Sequence, residues 1–132
     1  MERILRNYKL SYLWANFDEI RFFPRETGLS HRVHVYVPYE VDMKVTPFIE
    51  IRKTFIKSAV KKKRVFFTVS SNPQIEGEDS KFLSDEEMAH VKRWIVLNQV
   101  ALLKHWHQEI STFGLCRALV KLDGSLMYEF KD

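Results

Sequence analysis

Apolar residues recur every three or four positions from Met88 to Trp106, close to the C-terminal end of the chain. This spacing predicts one long amphipathic helix. If it ran unbroken to Ile110, it would be about 40 Å long at ~1.5 Å per residue. Ser84 and Glu87 precede it with the spacing of a capping box, in which each side chain bonds the other residue's backbone N–H. The helix is therefore predicted to begin just after Ser84.

Three residues inside this helix have predicted structural roles. Trp94 and Trp106 lie near its two ends, and Asn98 lies on its apolar side. Because buried amides are almost always hydrogen-bonded, we expect Asn98 to tie the helix to the backbone of a strand or loop. With Ser84 and Glu87, these residues form the predicted scaffold.

The N-terminal half of the chain reads mainly as short strands. Residues 32–38 are rich in β-branched and aromatic residues and end at a proline, so they give the clearest strand pattern. Residues 64–70 give a second strand, with Phe66 and Phe67 on opposite faces. A partial alternation over residues 7–14 and an apolar run over residues 19–23 favour two more.

Residues 46–59 allow two interpretations. Thr46 can cap a helix with Pro47 at its first position, and the apolar residues that follow have a spacing of three and four. We predict a helix here, with a strand over residues 48–51 as the alternative.

The end of the chain is also open to two interpretations. Ser111 can cap a second, shorter helix that contains Leu115 and Leu119, followed by a final strand with Leu126. The alternative is a β-hairpin over residues 118–130, turning at Asp123-Gly124. We prefer the helix.

These elements predict an α+β fold: a small, mainly antiparallel sheet packed against a long C-terminal helix plus one or two shorter helices. With 132 residues, the chain is predicted to form a single domain, residues 1–132. Cys116 is the lone cysteine, so an intramolecular disulfide is excluded. No apolar run reaches the ~18 residues that span a bilayer. We therefore expect a cytoplasmic protein without membrane contact.

The net charge of +4 is unevenly distributed. Residues 44–64 hold eight cations and one acid, whereas residues 71–90 hold six acids and one cation. The simplest interpretation of the basic segment is a solvated helix face. The alternatives are salt-dependent, non-specific contact with nucleic acid and contact with an acidic partner or a second copy. The predicted binding residues are Arg52, Lys53, Lys57, Lys61, Lys62, Lys63 and Arg64.

Catalytic and metal-binding patterns are not found in this sequence. His31 and His34 are three residues apart, which in a strand places them on opposite faces, and the zinc-protease pattern His-Glu-x-x-His is absent. Cys116 has leucine neighbours and is interpreted as a core thiol. We expect no catalytic residue, no metal and no cofactor.

The pattern resembles a small bacterial family of unknown function with a His-bearing strand and a Trp-spaced C-terminal helix, often encoded beside antitoxin-like partners. Of the family's paired histidines only His34 is matched. The resemblance covers about half of the chain and implies a compact domain in a defence or toxin–antitoxin gene neighbourhood. The matching segments are Val33-His34-Val35-Tyr36-Val37, Ile75-Glu76-Gly77-Glu78, Trp94 to Trp106, and Glu109-Ile110-Ser111-Thr112.

The sequence thus predicts a non-enzymatic module that binds a protein partner or forms a homo-oligomer. The expected setting is bacterial or phage defence, anti-defence, or a toxin–antitoxin system. The alternative is a nucleic-acid-binding protein that uses the basic face at residues 52–64.

Overall fold

A computed structural model describes residues 10–41, 43–53, 63–76 and 80–129. Within these ranges, five strands form one antiparallel sheet, ordered as they occur along the chain. The predicted α+β class is confirmed. The strands are β1 (Phe17–Phe22), β2 (Arg32–Pro38), β3 (Phe48–Arg52), β4 (Arg64–Thr68) and β5 (Ile75–Glu76). The α-helices are α1 (Leu10–Asn16), α2 (Pro24–Thr27), α3 (Asp85–Leu97), α4 (Gln99–Trp106) and α5 (Thr112–Ala118), with a short 3-10 helix at Ser80–Phe82.

One face of the sheet packs against the C-terminal helices. Alternate residues of the central strands, such as Val33 and Ile49, are buried in one cluster with Trp94 of α3, Leu102 of α4 and Leu115 of α5. This cluster is the main core. All five residues of β3 are buried, so that strand is covered on both faces.

The other face of the sheet holds a second, smaller cluster, which is mainly aromatic. Trp106 packs against Phe17 and Phe48, with ring centroids 5.7 and 5.2 Å apart. Both phenylalanines are the first residues of their strands, so the indole closes the end of the sheet where β1 and β3 begin. The buried members are Leu13, Phe17, Tyr36, Val45, Phe48, Phe66 and Trp106.

Two of the sequence predictions for the N-terminal half are wrong. Residues 48–52 form β3, so the alternative strand is confirmed and the helix is not, while residues 54–62 lie outside the described part. Arg52 was predicted to lie on a solvated helix face, but it lies next to Glu50 on one face of a buried strand and donates to the Glu50 carboxylate. Of the strand predicted over residues 7–14, the described part is helix α1, because packing of Leu13 outweighs a weak alternation.

The C-terminal helix begins as predicted and ends earlier. The capping box is confirmed, with Ser84 Oγ accepting from Glu87 N at 3.0 Å and Glu87 Oε1 accepting from Ser84 N at 2.9 Å. The helix is interrupted at Asn98, where the Asn98 N–H is shared between the carbonyls of Trp94 and Ile95. It stops at Trp106, so the unbroken run to residue 110 is wrong. No helix in the described ranges is both long and apolar enough to cross a membrane.

The final segment combines both interpretations. Ser111 caps α5 by accepting from Gly114 N, so the second helix is confirmed up to Ala118. A single antiparallel bridge between Val120 and Leu126 then follows, and no final strand is formed among the residues described up to position 129.

Candidate functional site

One end of the sheet collects arginines from neighbouring strands. Arg32, Arg52 and Arg64 are direct partners across β2, β3 and β4, so their side chains share one face in one row. Arg21 lies opposite His34 in the adjacent row. Like charges placed directly opposite one another destabilise a sheet. We call the set Arg21, Arg32, Arg52, Lys53, Lys63 and Arg64 the basic sheet end.

Glu50, which lies opposite His34 in the adjacent row, supplies the counter-charge for the arginines. Its fully buried carboxylate accepts from Arg52 Nε at 2.7 Å and from Arg64 Nη1 at 3.2 Å. It also accepts from the Tyr36 hydroxyl at 2.7 Å. Burial, together with the charge of Glu50, raises the pKa of Tyr36, so this phenol stays a neutral donor. Glu50 therefore neutralises part of the arginine row from inside the sheet.

Glu19 and His34 form a second buried pair beside Glu50. His34 Nδ1 lies 2.5 Å from Glu19 Oε1. The hydrogen bond from His34 lowers the pKa of Glu19, and burial lowers the pKa of His34. Both lowered pKa values are consistent with an ionised Glu19 carboxylate that accepts a hydrogen bond from the Nδ1–H of a neutral His34 imidazole. His34 Nε2 has no hydrogen-bond partner among the described residues.

A cleft of about 350 Å³ opens beside these pairs, lined by Trp14, Glu19, Arg21 and Arg52. Trp14 is 58% exposed, whereas most tryptophans in folded proteins are largely buried. Arg21 is also largely exposed, with its Nε 3.8 Å from the Glu19 carboxylate. An exposed ring next to a cation is the combination that stacks a nucleobase and holds its phosphate.

Four of the seven predicted binding residues can be placed. Arg52, Lys53, Lys63 and Arg64 lie at the ends of two paired strands and not on a helix face. Arg52 is only 7% exposed, so it does not belong to a solvated surface. Arg64 is partly buried and lies over the Phe66 ring. Lys57, Lys61 and Lys62 fall outside the described residues. Sequence reasoning missed Arg21 and Arg32, because only the strand register brings them to the same end.

A second surface lies on the solvent side of α3 and α4. Val96, Leu97 and Val100 are exposed there, and Val100 is 68% exposed. Arg93 and Lys104 are exposed on the same side of the helices, before and after the apolar residues. We call these five residues the outer helix face. A groove of about 310 Å³ continues from it toward α5; its other lining residues are Asn98, Ala101, Ile110, Gly114 and Ala118.

The predicted scaffold residues lie in the core or at the helix start. Asn98 Nδ2 donates to the carbonyls of Trp94 and Val120 at 2.9 and 3.1 Å, and its Oδ1 accepts from Val120 N at 2.8 Å. Trp94 Nε1 donates to the same Val120 carbonyl at 2.9 Å. The expected tie between Asn98 and a loop backbone is therefore present, and its partner is the segment after α5.

His31 and His34 each lie next to an acidic side chain. His31 Nε2 lies 3.1 Å from a carboxylate oxygen of Glu87, whereas His34 bonds Glu19, so the two rings serve different acids. Among the described residues, no group of three or more His, Cys, Asp or Glu side chains is arranged to hold a metal ion. Cys116 is half-buried, and burial raises the pKa of its thiol.

Comparisons with protein-family models, with curated proteins and with solved structures found no match for this chain. The resemblance to the small bacterial family thus stays a prediction.

Proposed function

We propose that this protein is a non-enzymatic binding module and that its outer helix face docks an amphipathic helix of a partner protein. The observation that carries the proposal is the placement of Val96, Leu97 and Val100 between Arg93 and Lys104. Exposed apolar groups in one patch are the usual mark of a docking surface. Within the described part of the chain, neither Arg93 nor Lys104 forms an ion pair.

The charges define the partner. Arg93 and Lys104 are eleven positions apart, which corresponds to about 16 Å along a helix. A partner helix with an apolar stripe and an acidic residue near each end of it would satisfy both cations. The floor of the groove includes Ala101, Gly114 and Ala118. These small side chains leave room for a helix to lie close, as in helix-in-groove recognition.

A second copy of the same chain fits this face less well. A two-fold interface sets the same patch against itself. Antiparallel outer faces would then bring Arg93 of one copy toward Lys104 of the other, which places like charges together. The acidic flanks that the face requires have to come from a different protein.

The sequence resemblance suggests the biological setting. Members of that family are often encoded beside antitoxin-like proteins, so we propose that the partner helix belongs to such a neighbour. The setting would be bacterial or phage defence, anti-defence, or a toxin–antitoxin system.

The proposal can be tested with a synthetic helix. The probe is an amphipathic peptide with leucines at positions i, i+4 and i+7 and with glutamates eleven positions apart. We expect binding that weakens with salt, and a loss of at least about ten-fold in affinity for Val100→Glu, since a charge would be placed in the apolar patch. Val41→Glu changes an equally exposed valine elsewhere and is the matched control.

Two results would overturn this assignment. One is equal binding of a peptide in which lysines replace the glutamates. The other is a dimer in light scattering that Val100→Glu converts to monomer, because the face would then be occupied by a second copy.

The basic sheet end supports a second candidate function, namely binding of single-stranded nucleic acid. The observation that favours it is the cleft in which the exposed Trp14 lies with Arg21 and Arg52. Fluorescence anisotropy with a labelled oligonucleotide should show binding that weakens as salt is raised. Trp14→Ala and Arg21→Glu should each weaken it, as should changing residues 61–63 to glutamate. Absence of binding at low salt, or equal affinity in all variants, rules the candidate out.

A further inference from the structure

A cleft of about 450 Å³ lies where four elements meet. Asp18 comes from β1, Tyr39 follows β2, His105 comes from the end of α4, and Thr112 begins α5. The cleft shares Ile110 with the groove beside the outer helix face and has no described lining residue in common with the cleft at Trp14. The remaining lining residues are Val37, Pro38, Gln108, Glu109, Ile110 and Ser111.

His105 is a buried polar group in the wall of this cleft. Its side chain is 2% exposed, and its Nε2 makes only a long contact of 3.4 Å with Thr112 Oγ1. Its Nδ1 has no hydrogen-bond partner among the described residues. Burying a ring nitrogen without a hydrogen-bond partner costs free energy. The unpaired nitrogen of His105 therefore points to a partner from outside the chain, such as a ligand.

Burial lowers the pKa of His105, so its imidazole is neutral at pH 7. A neutral imidazole has one nitrogen that accepts a hydrogen bond. The wall of the cleft therefore offers an acceptor and carries no positive charge of its own.

The loop that forms the rim is held in a strained conformation. Gln108 has a φ of +60°, in the left-handed region that residues other than glycine rarely adopt. Its side chain donates to the carbonyl oxygen of Pro38 at 2.8 Å, which fixes the loop across the end of β2. Such strain costs on the order of 1–3 kcal/mol and clusters at ligand sites. The rim is thus fixed in place before any ligand arrives.

The charge of the lining is the opposite of the charge of the whole protein. The chain carries +4, yet the described residues that line this cleft include the carboxylates of Asp18 and Glu109 and neither lysine nor arginine. Tyr39 is 55% exposed, and partial desolvation together with the nearby Asp18 carboxylate raises the pKa of its phenol. The face of an exposed tyrosine ring attracts cations.

We propose that this cleft binds a small organic cation with an alkylammonium or guanidinium group. Asp18 and Glu109 supply the opposite charge, the Tyr39 ring supplies a face, and the neutral His105 and Thr112 accept hydrogen bonds from the ligand N–H groups. The volume suits a compact molecule, since ligand pockets begin near ~300 Å³.

The test compares three four-carbon molecules of similar length. Putrescine carries two positive charges, 1,4-butanediol carries none, and succinate carries two negative charges. Calorimetry measures affinity, and NMR follows the His105 ring nitrogens and the backbone amides of residues 108–112. We expect putrescine alone to bind and to shift the His105 ring signals.

The substitutions that test the proposal are made at exposed residues, so that they change ligand binding without unfolding the protein. Asp18→Asn should weaken putrescine binding by about five-fold or more, as loss of a charge partner does at a partly exposed site. Glu40→Gln removes a carboxylate from the turn just after β2 and should leave the affinity unchanged. Equal binding of putrescine and butanediol, or an equal effect of the two variants, would overturn the proposal.

Discussion

Replacing Glu50 by glutamine tests how the sheet tolerates a row of arginines. The substitution keeps the shape of the side chain and removes its charge. In the folded protein Glu50 is fully buried and accepts from Arg52, Arg64 and Tyr36. After the change, the Arg52 guanidinium stays buried and loses its nearest counter-charge, with Glu19 next at 3.7 Å.

The expected cost follows from the burial of the pair. Removing one partner of a buried ion pair typically destabilises a protein by about 3–5 kcal/mol, because an uncompensated charge remains inside. Unfolding entropy is about 2.1 cal/mol/K per residue, so for 132 residues the melting temperature should fall by roughly 10–18 °C.

Urea and thermal unfolding monitored by circular dichroism measure this change. Glu40→Gln, at an exposed carboxylate, is the control and should change the unfolding free energy by less than about 0.5 kcal/mol. Adding Arg52→Met to Glu50→Gln removes the orphaned charge and should recover part of the loss. A loss below about 1 kcal/mol for Glu50→Gln would refute the reasoning.

Three further predictions concern the core and the buried histidines. Asn98→Ala should lower the unfolding free energy by about 2–4 kcal/mol in urea titration, since it leaves the buried backbone groups of Val120 with fewer partners; a loss below 1 kcal/mol would contradict the tie. Trp106→Ala should cost about 3–5 kcal/mol by calorimetry, because it leaves a cavity between two aromatic strand ends; an unchanged melting temperature would mean that the indole does not close the sheet. The pKa values of His34 and His105 are both lowered, so the unfolded state takes up protons first and stability should fall as the pH drops below about 6.5. Equal unfolding free energies at pH 7 and pH 5 would contradict this sign.

Local signals in the sequence were sufficient where a few neighbouring residues decide the structure. The capping box at Ser84 and Glu87, the cap at Ser111 and strand β2 were predicted correctly for this reason. In each case, the side chains that form the element also bond or pack within it. The prediction of an α+β class then followed from the order of the elements.

The predictions failed where distant residues decide the structure. In β3, the buried Glu50 also accepts from Tyr36 and Arg64, each 14 positions away on a neighbouring strand, and without these partners a polar pair in the sequence resembles a solvated helix face. The basic sheet end depends on the strand register, which brings Arg21 and Arg32 to the same end of the sheet as Arg64 and which no local pattern contains. The His105 cleft likewise needs four separate elements to meet.

Asn98 also determines how the end of the chain is held. Toward Val120, its amide uses one N–H as a donor and its oxygen as an acceptor, as a peptide group does, while Nδ2 also donates to the Trp94 carbonyl. The Asn98 side chain therefore bonds Val120 as the backbone of a neighbouring β-strand would. In the described chain, the only β-bridge partner of Val120 is Leu126. Only one residue of the segment after α5 can align its N–H and C=O groups with the Asn98 amide. Inserting or deleting a residue between α5 and Val120 would put the wrong peptide group at the amide, so the length of that connection is fixed by one side chain 22 positions earlier.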